Sequence, residues 1–318
     1  MATKLPEIAV EFLEYMETIR GKSKNTIKAY SYDLTLFFRF IKIKRGFVVM
    51  DMDFDEIPVD DIDVYIISNI SLADLYSFLS FTANQRDNKN YARARKVACL
   101  RSFFKYLHKM KVIRHNPSIE LESPKINSRH PVYLTLEESK QLLSSIDGEN
   151  KERDYAIITL FLNCGLRLSE LISIDINKIN NDKLTVIGKG NKERTVYLNS
   201  ACIDAINNYL KVRPTDDNVK DKNALFLSER KRRISKRAVQ YLVKKYIGIS
   251  NLDTEKYSPH KLRHTAATLM YKYGKVDIRS LQQILGHENI STTQIYTHLD
   301  DETLRNAINA NPLSEEKK

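Results

Sequence analysis

The sequence predicts a mainly α-helical protein with a small β-sheet, divided into two domains. Three observations carry this. Apolar residues recur at i, i+3 and i+4 through most of the 318 residues. One stretch, LTVIGKGNKERTVYL, instead alternates on either side of a glycine-containing turn, as a hairpin does. A non-periodic segment carrying Pro117, Pro124 and Pro131 interrupts the helical pattern, and such a segment is where a linker belongs.

The first helix is expected over Leu5 to Ile19, with Ile8, Phe12, Leu13, Met16 and Ile19 on one face. Ser23 precedes a second run that carries Ile27, Tyr30, Leu34, Phe37, Phe38 and Ile41. Ser71 opens a third, with Leu72, Leu75, Phe78 and Leu79. The fourth runs from Asn90 to Met110. Val97, Leu100, Phe104 and Leu107 line one face, and Arg93, Arg95, Lys96, Arg101 and Lys105 spread over the rest. Between the second and third lies MDMDFDEIPVDDID, which contains Pro58 and reads as a loop or short helix. The division is then 1–113 for a helical domain, 114–134 for the linker, 135–300 for a second domain and 301–318 for a tail helix. Thr135 to Glu138 has the capping-box pattern. Further helices are expected near 136–146, 153–163, 200–211, 235–247, 260–273, 277–285 and 301–309.

Composition narrows the function. Hydrophobic residues make up 42% and charged residues 29%, which supports a packed core and argues against disorder. Lys plus Arg is 51 against 40 Asp plus Glu, a net charge of +11 shared by both halves. That balance points to a polyanion, most often nucleic acid. No apolar run approaches the ~18 residues of a membrane helix. The opening MATKLPEIAVEFLEYME is acidic and amphipathic, unlike a secretory signal. Cys99, Cys164 and Cys202 are odd in number and unclustered, and read as buried thiols of a reducing cytoplasm.

Five clusters in the second half bear on chemistry. In CGLRLSEL, Arg167 sits in apolar sequence and must find an anion, Glu170 being the nearest. In IGKGNKER, Lys189 stands between two glycines at the hairpin tip, where it is either a groove-reaching or an ordinary exposed lysine. SPHKLRHTAAT places His260, Arg263 and His264 in the first turns of a helix behind Pro259. His260 and His264 have the spacing of a zinc pair, but Lys261 stands where a metalloprotease has glutamate. LGHENISTTQIYTHL carries His287 and Tyr296. ERKRRISKRA carries Lys231, Arg232, Arg233, Lys236 and Arg237 ahead of a helix, a phosphate-holding or merely solvated run. Together these form an inventory without paired carboxylates: guanidiniums for phosphate oxygens, a lysine, histidines and a phenol nucleophile.

In that order and spacing, GLRLSEL, IGKGNKER, SPHKLRH and LGHENISTTQIYTH resemble the tyrosine recombinases, most closely the bacterial Xer-type site-specific recombinases. The resemblance covers essentially the whole chain. It implies an N-terminal four-helix (SAM-like) DNA-binding domain and a C-terminal mixed α/β catalytic domain, closing around duplex DNA. It places catalytic roles on Arg167, Lys189, His260, Arg263, His287 and the nucleophile Tyr296. DNA contacts are expected from Arg93, Arg95, Lys96, Arg101, Lys231, Arg232, Arg233, Lys236 and Arg237.

The implied reaction runs through a 3′-phosphotyrosine and a Holliday junction, with no metal or other cofactor. The implied partners are a double-stranded recombination site, a homo- or hetero-tetramer of recombinase subunits, and a DNA translocase as a further candidate. The implied setting is the cytoplasm, at the nucleoid. Chromosome dimer resolution is the leading role, with integration or excision of a mobile element as the alternative. A type IB topoisomerase and a non-catalytic DNA binder are weaker rivals. The acidic stretch looks longer than in compact relatives and leaves open how the first domain closes.

Overall fold

The computed structural model describes residues 4–48, 52–125, 131–188, 193–274 and 276–296. The chain divides into two compact units, Met1–Asn127 and Ser128–Lys318. Lys189 and the tail at 301–318 lie outside the described residues. No described helix is long and apolar enough to cross a membrane.

Four long helices build the first unit: α1 (Glu7–Thr18), α2 (Lys24–Lys44), α4 (Leu72–Asn84) and α5 (Asn90–Lys109), with a short α3 (Val64–Ser68) between. Caps set their starts. Ser23 Oγ accepts from Thr26 N, and Ser71 and Asp74 form a reciprocal capping box. The apolar stripes meet in an aromatic core. Phe12 packs edge-on against Phe103 at 5.3 Å, and Phe37 against Phe78 at 5.1 Å. Offset and edge-to-face pairs of this kind add to the burial of the rings themselves.

The acidic stretch packs against α2 and α4. Ile57, Val59 and Ile62 are buried, Lys42 Nζ bonds Asp61 and the Pro58 carbonyl, and Arg39 and Arg86 both pair with Asp55. Its charge therefore neutralises cations of the neighbouring helices.

Lys96, expected on α5 as a DNA contact, is corrected by its packing. Lys96 is 1% exposed, with Nζ 2.9 Å from Asp33, and Arg95 reaches the same carboxylate. Arg101 is bonded to the Leu121 carbonyl, and Arg93 to Asn90. Lys96 is thus a structural cation inside the bundle. Breaking a buried pair by removing one partner costs about 3–5 kcal/mol. An Asp33→Ala variant is accordingly expected to unfold at markedly lower urea, since both cations lose their counter-ion. An unchanged midpoint would refute that account.

The segment read as linker is anchored at several of its described residues, with exposed residues between them. Leu121 belongs to the first core, and Tyr76 Oη bonds the backbone at Glu120 and Glu122. Leu134 belongs to the second core, and its N–H donates to Thr265 Oγ1 at 2.8 Å.

The second unit contains α6 (Leu136–Ser144), α7 (Lys151–Cys164), α8 (Leu168–Ile172), α9 (Ser200–Val212), α10 (Lys236–Ile249), α11 (Pro259–Tyr273), α12 (Ile278–Leu285) and α13 (Ser291–Gln294). The central helix, α7, is buried nearly all round and packs against α9 and α11. The hairpin pairs β2 (Lys183–Ile187) with β3 (Glu193–Tyr197), Leu184 opposite Val196. Leu184, Val186 and Val196 face the core. A two-residue β1 (Ile179–Asn180) makes the sheet three-stranded and antiparallel. Periodicity did not reveal β1, α8 or α13, because five residues or fewer show no period.

All three cysteines are free and buried. They are not all apart: Cys164 Sγ and Cys202 Sγ lie 3.6 Å from each other, which corrects the unclustered reading. The shared hydrogen bond and burial push the Cys164 thiol up.

Candidate active site

Two left-handed turns bring the functional residues together. Gly165 ends α7 at φ +59°, and Gly286 ends α12 at φ +63°. Both backbones need glycine for the αL conformation and for lack of space. A Cβ on Gly165 would stand 2.9 Å from Leu285 Cδ2, and one on Gly286 2.7 Å from Arg194 Cδ.

The last turn of α12 carries the carbonyls that no helix can satisfy internally. Three arginines satisfy them in sequence. Arg194 Nη1 donates to the Ile284 carbonyl at 2.6 Å, Arg263 Nη2 to Leu285 at 2.7 Å, and Arg167 Nη2 to Gly286 at 2.6 Å. The negative end of the helix dipole favours cations there.

Glu170 binds the same three side chains. It is fully buried, with Oε1 2.8 Å from Arg167 Nη1, and Oε2 2.9 Å from Arg194 Nη2 and 3.7 Å from Arg263 Nη1. Its Oε2 also accepts from the Arg167 backbone N–H at 2.7 Å. Burial alone would raise its carboxyl, but the Arg194 and Arg167 contacts outweigh that and hold it below the usual range. Burial and the neighbouring Arg167 bring Arg263 down to about 10.

His287 follows Gly286 directly, and Thr293 Oγ1 lies 2.9 Å from its Nδ1. Burial, then Arg263 and Arg167, lower it to about 4. Tyr296 is 1% exposed and packs with Ala267, Leu281 and Leu285. Burial raises its phenol to about 12. The hydroxyl sits 2.6 Å from His264 Nδ1, and His264 Nε2 sits 3.1 Å from His260 Nε2. The zinc-spaced histidines therefore face each other.

Arg167, His260, Arg263, His287 and Tyr296 thus converge in one unit. Reasoning on the sequence assigned no role to Arg194 or His264. Both lie inside motifs already quoted, Arg194 as the last residue of GKGNKER and His264 as the last of SPHKLRH. The basic run ahead of α10 divides. Lys231 pairs with Asp216, and Arg233 bonds Asp175 and the Ile172 and Ile174 carbonyls, so both are occupied in the fold. Arg232, Lys236 and Arg237 stay exposed.

Such an arrangement gathers guanidinium donors of the kind that suit an oxyanion, with a phenol in the same unit. The model of the phage integrase family matches residues 132–303. The chain is 65% identical over 316 residues to tyrosine recombinase XerC of Caldanaerobacter subterraneus subsp. tengcongensis, covering 99% of this chain and 89% of that protein. It is 34% identical over 300 residues to tyrosine recombinase XerD of Vibrio vulnificus, with 93% and 92% coverage. Among solved structures it is similar to XerA recombinase, at 30% identity, TM-score 0.51 and coverage of 98% and 99%. A XerH site-specific recombinase in a post-cleavage complex shares the fold at TM-score 0.71 and 22% identity, with coverage of 95% and 84%. The chain belongs to the phage integrase family and is a tyrosine recombinase of the Xer type, an enzyme that cleaves and rejoins DNA strands.

Proposed function

We propose that Tyr296 attacks a scissile phosphate within a specific DNA site and forms a 3′-phosphotyrosine, freeing a 5′-hydroxyl. Strand exchange then passes through a Holliday junction, in the service of chromosome dimer resolution. The observation that carries this reading is the clamp of three guanidiniums on one helix end and one carboxylate, with His287 and Tyr296 alongside. Arg167 and Arg263 supply donors preorganised for the phosphorane, where one such contact contributes about 10²–10³ in rate. His287 adds a further donor. Lys189 is the general acid for the departing oxygen, and His260 assists proton transfer near the nucleophile. The phosphotyrosine conserves the bond energy, so a second 5′-hydroxyl can reverse the step without ATP.

Arg93, Arg101, Arg232, Lys236 and Arg237 are the proposed phosphate contacts. Lys236 and Arg237 sit in the first turn of α10, against its dipole, and an approaching phosphate relieves that conflict. The assembly is a homo- or hetero-tetramer on DNA, with the segment 301–318, including Leu304 and Ile308, joining neighbours. A DNA translocase is a candidate activator, and the setting is the cytoplasm at the nucleoid. Dimer resolution is preferred to mobile-element integration because the curated relatives quoted above are named as Xer recombinases.

The test is a nicked suicide duplex carrying a candidate site, resolved on a denaturing gel. A covalent adduct attached through Tyr296 is expected, with binding that weakens steeply in salt. Salt-independent binding and no adduct on any site would overturn the reading. A Gly286→Ala variant is expected to slow the adduct strongly, because the new methyl strains an αL backbone and displaces Arg194, whose Cδ stands 2.7 Å away. Parent-like rates for that variant would show that the turn does not set the clamp.

A further inference from the structure

The nucleophile touches a side chain to which neither the resemblance nor the proposed reaction gives work. Tyr296 Oη lies 2.6 Å from His264 Nδ1, and His264 Nε2 lies 3.1 Å from His260 Nε2. No hydrogen bond joins His260 to the phenol directly among the described residues. His260 is exposed and Tyr296 is 1% exposed, so the three groups lead from a buried hydroxyl to the surface. The helix provides this alignment: His260 and His264 are one turn apart on α11, with ring centroids 4.5 Å from each other.

The hydrogens can be assigned from chemistry. A neutral imidazole carries one N–H and one acceptor nitrogen. Burial lowers His264 to about 3, helped by His260, Lys261 and Arg263 on its own helix and by His287 beyond α12. Tyr296, raised by burial against the weaker pull of Arg263, keeps its proton at neutral pH. The phenol O–H therefore donates to His264 Nδ1. That contact places the His264 hydrogen on Nε2, from which it donates to His260 Nε2.

Resting on the recombinase reading, we propose that His264 is the general base for Tyr296, and that His260 acts on the nucleophile only through it. As the Tyr296 oxygen bonds to phosphorus, the phenolic proton moves to His264 Nδ1. The Nε2 proton of His264 moves to His260 Nε2, and His260 releases its Nδ1 proton to solvent. The bond from phosphorus to the 5′-oxygen breaks, and that oxygen takes its proton from the general acid. The reverse passage resets the relay when a 5′-hydroxyl attacks the phosphotyrosine. The wide gap in basicity between phenol and imidazole puts the transfer in the bond-forming step. An aryl oxygen becomes strongly acidic only once phosphorus is on it. Before DNA arrives, the same contact keeps the nucleophile protonated. Here His264 is a catalytic residue and His260 a positioning and relay residue.

Single-turnover adduct formation tests this on two suicide duplexes, one with the natural bridging 5′-oxygen and one with 5′-sulfur. A thiolate leaves without a general acid, so sulfur rescues a lost acid but not a lost base. His264→Gln and His264→Ala are expected to slow the adduct about 10²–10⁴-fold on both duplexes. Their rates should keep climbing with pH toward ionisation of the phenol, whereas the parent levels off once its histidines are neutral. His260→Ala is expected to lose less, and to add nothing in a His264→Ala background. Thermal melts and DNA titrations accompany each variant, and His264→Gln decides if the alanine variant fails to fold. Rates within about threefold of the parent, rescue by sulfur, or additive losses in the double variant would overturn the relay. A parent that forms no adduct on any site overturns the recombinase reading and the relay together. A parent adduct with unaffected His264 variants overturns the relay alone.

Discussion

A Tyr296→Phe variant is expected to bind site DNA like the parent and to form no covalent adduct, even after long incubation. The reason is that the substitution removes one atom and little else. The ring stays in its apolar cluster with Ala267, Leu281 and Leu285. The only described hydrogen bond lost by the side chain is the one to His264, worth about 0.5–1.5 kcal/mol net. The guanidinium clamp is untouched, since none of its contacts involves the phenol oxygen. Binding and chemistry should therefore separate cleanly. Adduct formation by this variant would move the nucleophile to another residue and remove the basis of the proposed mechanism.

Glu170→Ala is the second large effect expected, and unlike the first it should cost both stability and chemistry. The carboxylate is fully buried and faces Arg167, Arg194 and Arg263 at once. Without it three cations crowd one helix end with only backbone carbonyls to hold them. Removing one partner of a buried ionic group costs about 3–5 kcal/mol. The adduct rate should fall by about 10²–10³ as Arg167 and Arg263 lose their geometry. Glu170→Gln keeps the shape and part of the hydrogen bonding, so its stability loss should be smaller. A glutamine as harmful as alanine would refute that expectation and assign the whole loss to the missing negative charge. A Glu170→Ala protein with parent-like melting and adduct formation would show that the helix end alone organises the arginines.

The two variants also separate two kinds of residue. Tyr296 is expected to be essential to the chemistry and modest in its effect on the fold. Glu170 never meets the substrate in the proposed reaction, yet it fixes the residues that do. Arg194 belongs with Glu170: its side chain ties β3 to the end of α12 and to the carboxylate of the arginine clamp.

Much of this was legible in the chain. The long helices follow from apolar periodicity because each buries one stripe, as Leu34, Phe37, Phe38 and Ile41 do on α2. The hairpin follows from alternation, since Leu184 and Val186 point inward while Lys183 and Ile187 face out. The residues expected to react were legible as motifs in a fixed order, and that order pointed to the family that the comparisons show.

Other features depended on long-range packing. Lys96 looked like a DNA contact, because a sequence shows that a lysine is present but not which carboxylate lies opposite. Asp33 is 63 residues from Lys96 in sequence and 2.9 Å from it in space. The pairing of Cys164 with Cys202 arises the same way, from the packing of α7 on α9. So does the arginine clamp, whose members come from three separate segments and meet only because α12 ends in an αL glycine beside them. His264 was visible as a letter in SPHKLRH, but its contact is with a tyrosine 32 residues away. Local order, which neighbouring residues dictate through backbone preference and periodicity, was determined by the sequence as read. The partner of each buried charge and the histidine beside the Tyr296 hydroxyl were decided only by tertiary structure, because hydrogen bonds are set by distances that no local pattern encodes.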